Sequence, residues 1–164
     1  MYIPFMQLSD AARIWIYQAS RPLTQEASAL LQKVQDFVEQ WAAHGRPLQG
    51  SATLRYDQFL ILAVEESLQS VTGCEVDASI QLVRDQERAF QITLLDRTCI
   101  AFRQEQKNML VPLAQLAAQI QQGIVAKETL IFDNTITKKG DLADKWLVPA
   151  QATWLGKYFT PCSD

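Results

Sequence analysis

The strongest hydropathy pattern along the chain predicts two amphipathic helices. Apolar residues in the stretch 30–41 recur at intervals of three and four, which places them on one face of a helix. Thr24 is expected to cap the start of this helix, and Gly45 is expected to end it in a left-handed conformation. The stretch 77–90 repeats the pattern after Asp77, which we expect to cap a second helix.

Runs of β-branched and aromatic residues predict the strands. Residues 12–19 alternate two β-prone faces, and residues 51–56 and 59–65 are close enough in sequence to form a hairpin. Residues 59–65 are apolar at nearly every position, which indicates a central strand that is covered on both faces. Strand signal returns in residues 92–103. The predicted order of elements is therefore strand, helix, strand, strand, helix, strand.

This order of elements is typical of the ferredoxin-like split βαβ sandwich, an α+β fold, which we assign to residues 1–105. Residues 106–164 are then left for a small C-terminal α+β module. One alternative stays open. In it, residues 109–111 add an edge strand to a different α+β sheet, and the C-terminal residues pack into the same core.

The C-terminal module starts with a short predicted helix that ends at Gly123, followed by a strand that ends in Thr129-Leu130-Ile131-Phe132. The run Trp146-Leu147-Val148-Pro149-Ala150 closes the segment. Together these residues resemble the second half of a GYF-2 type adaptor domain, across residues 111–155. The resemblance implies a non-catalytic module that binds a protein or peptide partner.

The aromatic residues of this module are its candidate partner-binding residues. In an adaptor of this kind, Phe132 and Trp146 are expected to border an exposed apolar groove. Exposed aromatic residues are frequent anchors of protein interfaces, and Trp146 and Trp154 flank Pro149. The predicted partner-binding set is therefore Phe132, Trp146, Pro149 and Trp154, and a homodimer is one form that the partnership could take.

The whole chain also resembles a family of short proteins from Bacteroidetes. The resemblance rests on Trp15-Ile16-Tyr17-Gln18-Ala19, Phe37-Val38-Glu39-Gln40-Trp41 and Asp96-Arg97-Thr98. Members of that family are often named "ABC transporter ATPase", which implies a phosphate-binding loop of the form G-x-x-x-x-G-K-[ST]. The sequence holds no such loop, so ABC-type ATPase activity is not expected.

Composition and charge count against several classes of function. The formal net charge of −3 over 164 residues leaves no concentrated basic surface for a dedicated nucleic-acid binder. The longest strongly apolar run, residues 59–64, is far shorter than the ~20 residues that a membrane span requires. Cys74, Cys99 and Cys162 are an odd number without a close pair, so reduced thiols are expected. With no leader signal at the N-terminus, these features predict a cytoplasmic protein.

A small enzyme or ligand-binding protein is the alternative to the adaptor. Cys74 is predicted to precede a helix, where the helix dipole lowers the pKa of a thiol, and carboxylates nearby could bind Mg²⁺ or Ca²⁺. No calcium-loop or zinc-ligand spacing accompanies them, so no metal, other cofactor or catalytic residue is assigned. The only histidine, His44, is explained by a position at a helix C-terminus. The alternative site consists of Glu65, Glu66, Cys74, Asp77, Asp96 and Arg97.

Overall fold

The structure is a computed structural model that describes residues 1–67 and 69–160, and it confirms the α+β class. The chain forms two units, one of Met1–Asp96 with Thr137–Asp141 and the other of Arg97–Ile136 with Leu142–Asp164. The chain therefore passes from one unit to the other three times. The boundary that the sequence placed at residue 105 lies instead after residue 96.

Three strands of the first unit form an antiparallel sheet. They are β1 (Arg13–Gln18), β4 (Gly50–Arg55) and β5 (Phe59–Val64), with β5 between the other two. Ile61 fixes the register, because it lies opposite Ile16 on one side and opposite Thr53 on the other. Every residue of β5 is buried, as the apolar run predicts.

Two helices pack on one face of this sheet. They are α1 (Ala27–Gln40) and α2 (Gly73–Phe90), and Trp41 at the end of α1 donates from Nε1 to the carbonyl oxygen of Glu75 in α2, at 3.2 Å. The predicted apolar stripe of α1 supplies its buried residues. The core shared by the sheet and the helices includes Leu30, Val34, Val38, Leu60, Leu62, Val64 and Val83.

The first helix ends earlier than predicted. Helix α1 stops at Gln40, and the residues after it form a two-stranded ladder of β2 (Ala42–Ala43) and β3 (Arg46–Pro47). His44 and Gly45 join these strands with φ angles of 51° and 77°, and a two-residue hairpin turn favours positive φ at both positions. The expectation that Gly45 ends the helix and that His44 caps it is therefore wrong.

The fourth strand expected in the first sheet belongs to the second unit. The observed strand is β6 (Cys99–Gln104), and it pairs with β7 (Lys107–Pro112). Glu105 and Gln106 both adopt positive φ, 52° and 64°, so a tight turn folds the chain back on β6. The predicted ferredoxin-like set of four strands is thus not completed by this strand, and residues 109–111 form part of an edge strand in the second sheet.

A distant segment takes the free edge of β1 instead. Thr137 accepts a hydrogen bond from the N–H of Ile14 at 2.9 Å, and the N–H of Lys139 donates to the carbonyl oxygen of Ala12 at 2.9 Å. The Lys139 ammonium also donates to the carbonyl oxygen of Leu8 at 2.6 Å. Residues 137–141, which we call the edge strap, therefore complete the first unit.

The second unit has a sheet with the strand order β7, β6, β8, β9, in which β8 is Leu130–Phe132 and β9 is Leu147–Pro149. Among the described residues, helix α3 (Leu116–Gln121) and the 3₁₀ helices Leu113–Gln115, Ala150–Ala152 and Trp154–Tyr158 accompany the sheet. The core of this unit consists of Phe102, Val111, Leu116, Val125, Ile131, Ala150 and Leu155.

Candidate functional site

The second unit contains an open groove of about 720 Å³. Its walls are one side of α3, the loop that follows α3, and the residues at the end of the 3₁₀ helix Trp154–Tyr158. Most of the lining residues are exposed to solvent, and Val125 is buried beneath them. The groove is lined by Ala117, Ile120, Gln121, Gly123, Val125, Ala126, Lys127, Glu128, Tyr158 and Phe159.

Backbone hydrogen bonds fix the loop that forms one wall. Gly123 adopts a φ of 76°, which lets the chain reverse after α3, and the N–H groups of Ile124 and Val125 then donate to the carbonyl oxygen of Gln119 at 3.0 and 3.3 Å. The N–H of Gln151 donates to the carbonyl oxygen of Lys127 at 3.0 Å. The wall is therefore held at both ends before any ligand arrives.

Exposed aromatic side chains mark the 3₁₀ helix Trp154–Tyr158, of which Tyr158 lines the groove. Trp154 and Tyr158 keep 53% and 42% of their surface exposed, which is high for residues of this size. Between them the Lys157 ammonium lies 5.9 Å from the centroid of the Trp154 ring and 5.4 Å from that of Tyr158. Leu155, which is fully buried, anchors this 3₁₀ helix in the core. This rim, of which only Tyr158 lines the groove, thus presents a lysine between two exposed rings.

Two lysines beside the groove differ in their charge partners. The Lys127 ammonium lies 3.8 Å from a carboxylate oxygen of Glu128. Within the described ranges 1–67 and 69–160, no carboxylate forms an ion pair with Lys157. Because its described neighbours are aromatic rings, Lys157 carries a positive charge at this rim that no carboxylate of residues 1–67 and 69–160 neutralises.

Two of the predicted partner-binding residues are not available to a partner. Phe132 and Trp146 are only 4% and 2% exposed, and their ring centroids lie 5.2 Å apart. Trp146 also donates from Nε1 to Oδ1 of Asn134 at 2.9 Å. The expectation that both residues border an exposed groove is therefore wrong, because burial and internal contacts use their surfaces. Pro149 and Trp154 are exposed.

The sequence did not identify the groove itself. Tyr158 and Phe159 line the groove, and no role was predicted for either residue from the sequence. The available signal was the concentration of aromatic residues in the stretch 154–159, because aromatic residues are enriched in binding surfaces.

At the start of α2, neither Cys74 nor Asp77 takes part in capping the helix. Both side chains are exposed, and the helix is capped by Thr72 and Glu75 rather than by Asp77. The N–H of Thr72 donates to a carboxylate oxygen of Glu75 at 2.8 Å, and its hydroxyl donates to the same oxygen. These bonds hold the pKa of Glu75 below its ordinary value. The carboxylate that caps helix α2 therefore belongs to Glu75, which is not among the predicted site residues.

The two glutamates after β5 have structural partners. Glu65 accepts a hydrogen bond from the N–H of Ser9 at 3.1 Å, and hydrogen bonds from Ser9 lower its pKa. Glu66 accepts from the Arg13 guanidinium at 3.4 Å and from the N–H of Val71 at 3.2 Å. The two carboxylates therefore bind different parts of the chain, Glu65 at Ser9 and Glu66 at Arg13 and Val71.

The remaining members of the alternative site are divided between the units. Asp96 is the last residue of the first unit and Arg97 the first of the second, and both are exposed. In the part of the chain that the structure describes, no three His, Cys, Asp or Glu residues are grouped so that they could hold a metal ion. Cys99 is half-buried on β6, and Cys162 lies outside the described residues.

None of the described helices combines the length and apolar character needed to cross a membrane. Comparison of the chain with models of protein families, with curated proteins and with solved structures found no match.

Proposed function

We propose that the protein is a non-catalytic binding module whose second unit binds a peptide segment of a protein partner in the groove between α3 and Tyr158. The observation that carries this proposal is the groove itself. Its volume of about 720 Å³ lies in the range of ligand sites, and its apolar lining is combined with a few polar groups. An open groove with fixed walls suits an extended peptide, which enters from the side.

Exposed apolar side chains also support binding by the second unit. Single exposed apolar residues are normal, whereas those at or beside a groove are available to a ligand bound in it. Tyr158 lines the groove, and Ile124 follows Gly123, which also lines it. The large apolar side chains exposed in the second unit are Leu113, Ile124, Leu130, Trp154 and Tyr158.

The order of elements in the second unit supports a relation to the GYF-2 type of adaptor. A helix, a glycine at 123, a strand at Leu130–Phe132 and a strand at Leu147–Pro149 follow each other as the resemblance implies. In the first unit, β5 lies between β1 and β4 as in a ferredoxin-like sheet, with the edge strap at the open side. We propose that the two units are variants of these two folds, in a cytoplasmic protein.

Peptide selection with the full chain tests the proposed function. A random peptide phage library is selected on the immobilised protein, and enriched peptides are measured by fluorescence polarisation. Ala117→Arg places a long side chain in the groove, whereas Ala118→Arg makes the same change at an exposed position of the same helix that does not line it. We expect Ala117→Arg to weaken binding by about thirtyfold, the loss that follows when one anchor of about 2 kcal/mol is excluded.

Ala118→Arg is expected to leave the affinity within about twofold of the original, since surface substitutions rarely change stability by more than about 0.5 kcal/mol. Two results would contradict the proposal. In one, no peptide is enriched above a matched surface without protein. In the other, enriched peptides bind equally well to both arginine variants, which would place their site outside the groove.

A further inference from the structure

Resting on the proposed function, we infer that the groove selects peptides that carry a carboxylate next to a bulky apolar side chain. The occupant is thus a peptide segment with both an acidic and an apolar side chain. Lys157 is the residue that forms an ion pair with the acidic side chain. The inference concerns the chemistry of the partner, which the shape of the groove alone does not define.

The apolar half of this preference follows from the groove lining. Ile120, Val125 and Phe159 present aliphatic and aromatic carbon, and all three belong to the core of the second unit or pack against it. An apolar side chain of the peptide that covers them loses its contact with water at ~25 cal/mol for each Å² buried. The lining therefore favours a Leu, Ile, Met or aromatic anchor.

The acidic half follows from the position of Lys157. Its ammonium lies 5.4 Å from the ring centroid of Tyr158, and Tyr158 itself lines the groove. The contact with two rings restricts where the ammonium lies without neutralising its charge. A peptide carboxylate at this rim would pair with Lys157 without a competing carboxylate from the described residues.

The other described charges at the groove are paired with each other. Lys127 and Glu128 line the groove, but each has the other as its ion-pair partner. The second unit as a whole carries six Lys or Arg residues against five Asp or Glu, whereas the first carries nine against thirteen. The excess of negative over positive residues is thus confined to the first unit. The formal charge of the unit that holds the groove does not repel an acidic peptide.

The experiment compares the peptides that the natural protein and a charge-reversed variant select from one random phage library. Lys157→Glu is the test variant, and Lys107→Glu is the control. Lys107 is an exposed lysine on β7 that, unlike Lys157, is not next to a groove-lining residue in the sequence and does not lie over the ring of one. We expect the natural protein and Lys107→Glu to enrich Asp or Glu beside an apolar residue. Lys157→Glu should lose the acidic residue and bind the original peptides about tenfold more weakly.

The affinity of an enriched peptide for the natural protein should also fall as the salt concentration rises, since the ion pair is exposed. Enriched peptides that bind in the groove but lack acidic residues would overturn this inference and leave the proposed function standing. Selected peptides that are equally sensitive to Lys107→Glu and Lys157→Glu would also overturn it. Absence of any peptide together with a dimer in native mass spectrometry would overturn both, since the occupant would then be a second copy of the chain.

Discussion

Trp146 and Phe132 form a buried aromatic pair, with ring centroids 5.2 Å apart and ring planes inclined by 59°. The pair lies next to the turn at Asn134, whose side-chain oxygen accepts from the indole N–H. Aromatic pairs at this distance and inclination stabilise a fold beyond the area that they bury. These two residues therefore stabilise the fold and do not form part of the exposed surface.

Substitution of Phe132 by alanine is expected to lower the free energy of unfolding by about 3–5 kcal/mol, because it removes a large buried side chain and leaves a cavity. The matched variant Trp154→Ala removes an aromatic residue that is 53% exposed and should change stability by no more than about 0.5 kcal/mol. Urea unfolding followed by far-UV circular dichroism measures both. Equal losses for the two variants would contradict the assignment of Phe132 to the interior.

Two fully buried serines should respond in opposite directions to replacement by alanine. The hydroxyl of Ser51 has no hydrogen-bond partner among the described residues, whereas that of Ser79 donates to the carbonyl oxygen of Val76 at 2.6 Å. Ser51→Ala removes a desolvated polar group and should raise the free energy of unfolding by about 1 kcal/mol. Ser79→Ala loses a hydrogen bond and should lower it by about 1 kcal/mol. Thermal unfolding of both variants measures these changes. A melting temperature of Ser51→Ala below that of the natural protein would contradict the prediction.

Acid should destabilise the protein partly through Glu75. Its pKa in the folded state lies below the ordinary value of 4.5, mainly because of hydrogen bonds from Thr72, so the unfolded chain binds more protons near that pH. The stabilisation is complete above pH 4.5 and is lost as the pH falls through the lower folded-state value. Urea midpoints measured between pH 3 and pH 7 should therefore fall less steeply for Glu75→Gln than for the natural protein.

Glu65 adds a second contribution of the same sign, since hydrogen bonds from Ser9 lower its pKa as well. In the double variant with Glu65→Gln and Glu75→Gln, the urea midpoint should fall less steeply with decreasing pH than in either single variant. If the urea midpoint of the double variant depends on pH as steeply as that of the natural protein, these carboxylates do not stabilise the folded state.

The packing of the edge strap against Asp10 should depend on the absence of a side chain at Gly140. A Cβ atom at this position would lie 3.0 Å from the Cβ and 3.2 Å from the carbonyl oxygen of Asp10, and Gly140 donates from its own N–H to that oxygen at 2.9 Å. Gly140→Ala is therefore expected to cost about 1–3 kcal/mol through crowding. Gly73→Ala is the control, because nothing lies within 4 Å of its Cβ position and alanine is the better helix former.

Amide hydrogen exchange gives a local measurement of this effect. The amides of Ile14 and Lys139, which join the strap to β1, should exchange faster in Gly140→Ala and be unchanged in Gly73→Ala. Unchanged protection of both amides in Gly140→Ala would mean that the strap does not depend on close approach at Asp10.

Local sequence patterns were sufficient for much of the first unit. The apolar stripe of α1 and the continuous apolar run of β5 predicted both elements, because side-chain periodicity is a property of the helix and the strand themselves. The end of α1 was missed, since the hairpin turn at His44 and Gly45 competes with helix termination at the same glycine.

The turn at Glu105 and Gln106 could not be read from the sequence. Neither residue is a glycine or asparagine, yet both adopt positive φ and direct β7 back to β6. The edge strap pairs residues more than a hundred positions apart, and no local pattern encodes such a contact. The burial of Trp146 was missed for a related reason, because the exposure of an aromatic residue depends on what the rest of the chain packs against it.

The most direct test of the central claim is an amide NMR titration of the full chain with a peptide enriched by the phage selection. We predict that shift changes are concentrated at the groove, at Ala117, Gly123, Lys127, Tyr158 and their neighbours, and are absent from Ala117→Arg at the same peptide concentration. Shift changes that are centred on the first unit, or that persist in Ala117→Arg, would contradict the claim that this groove is the binding site.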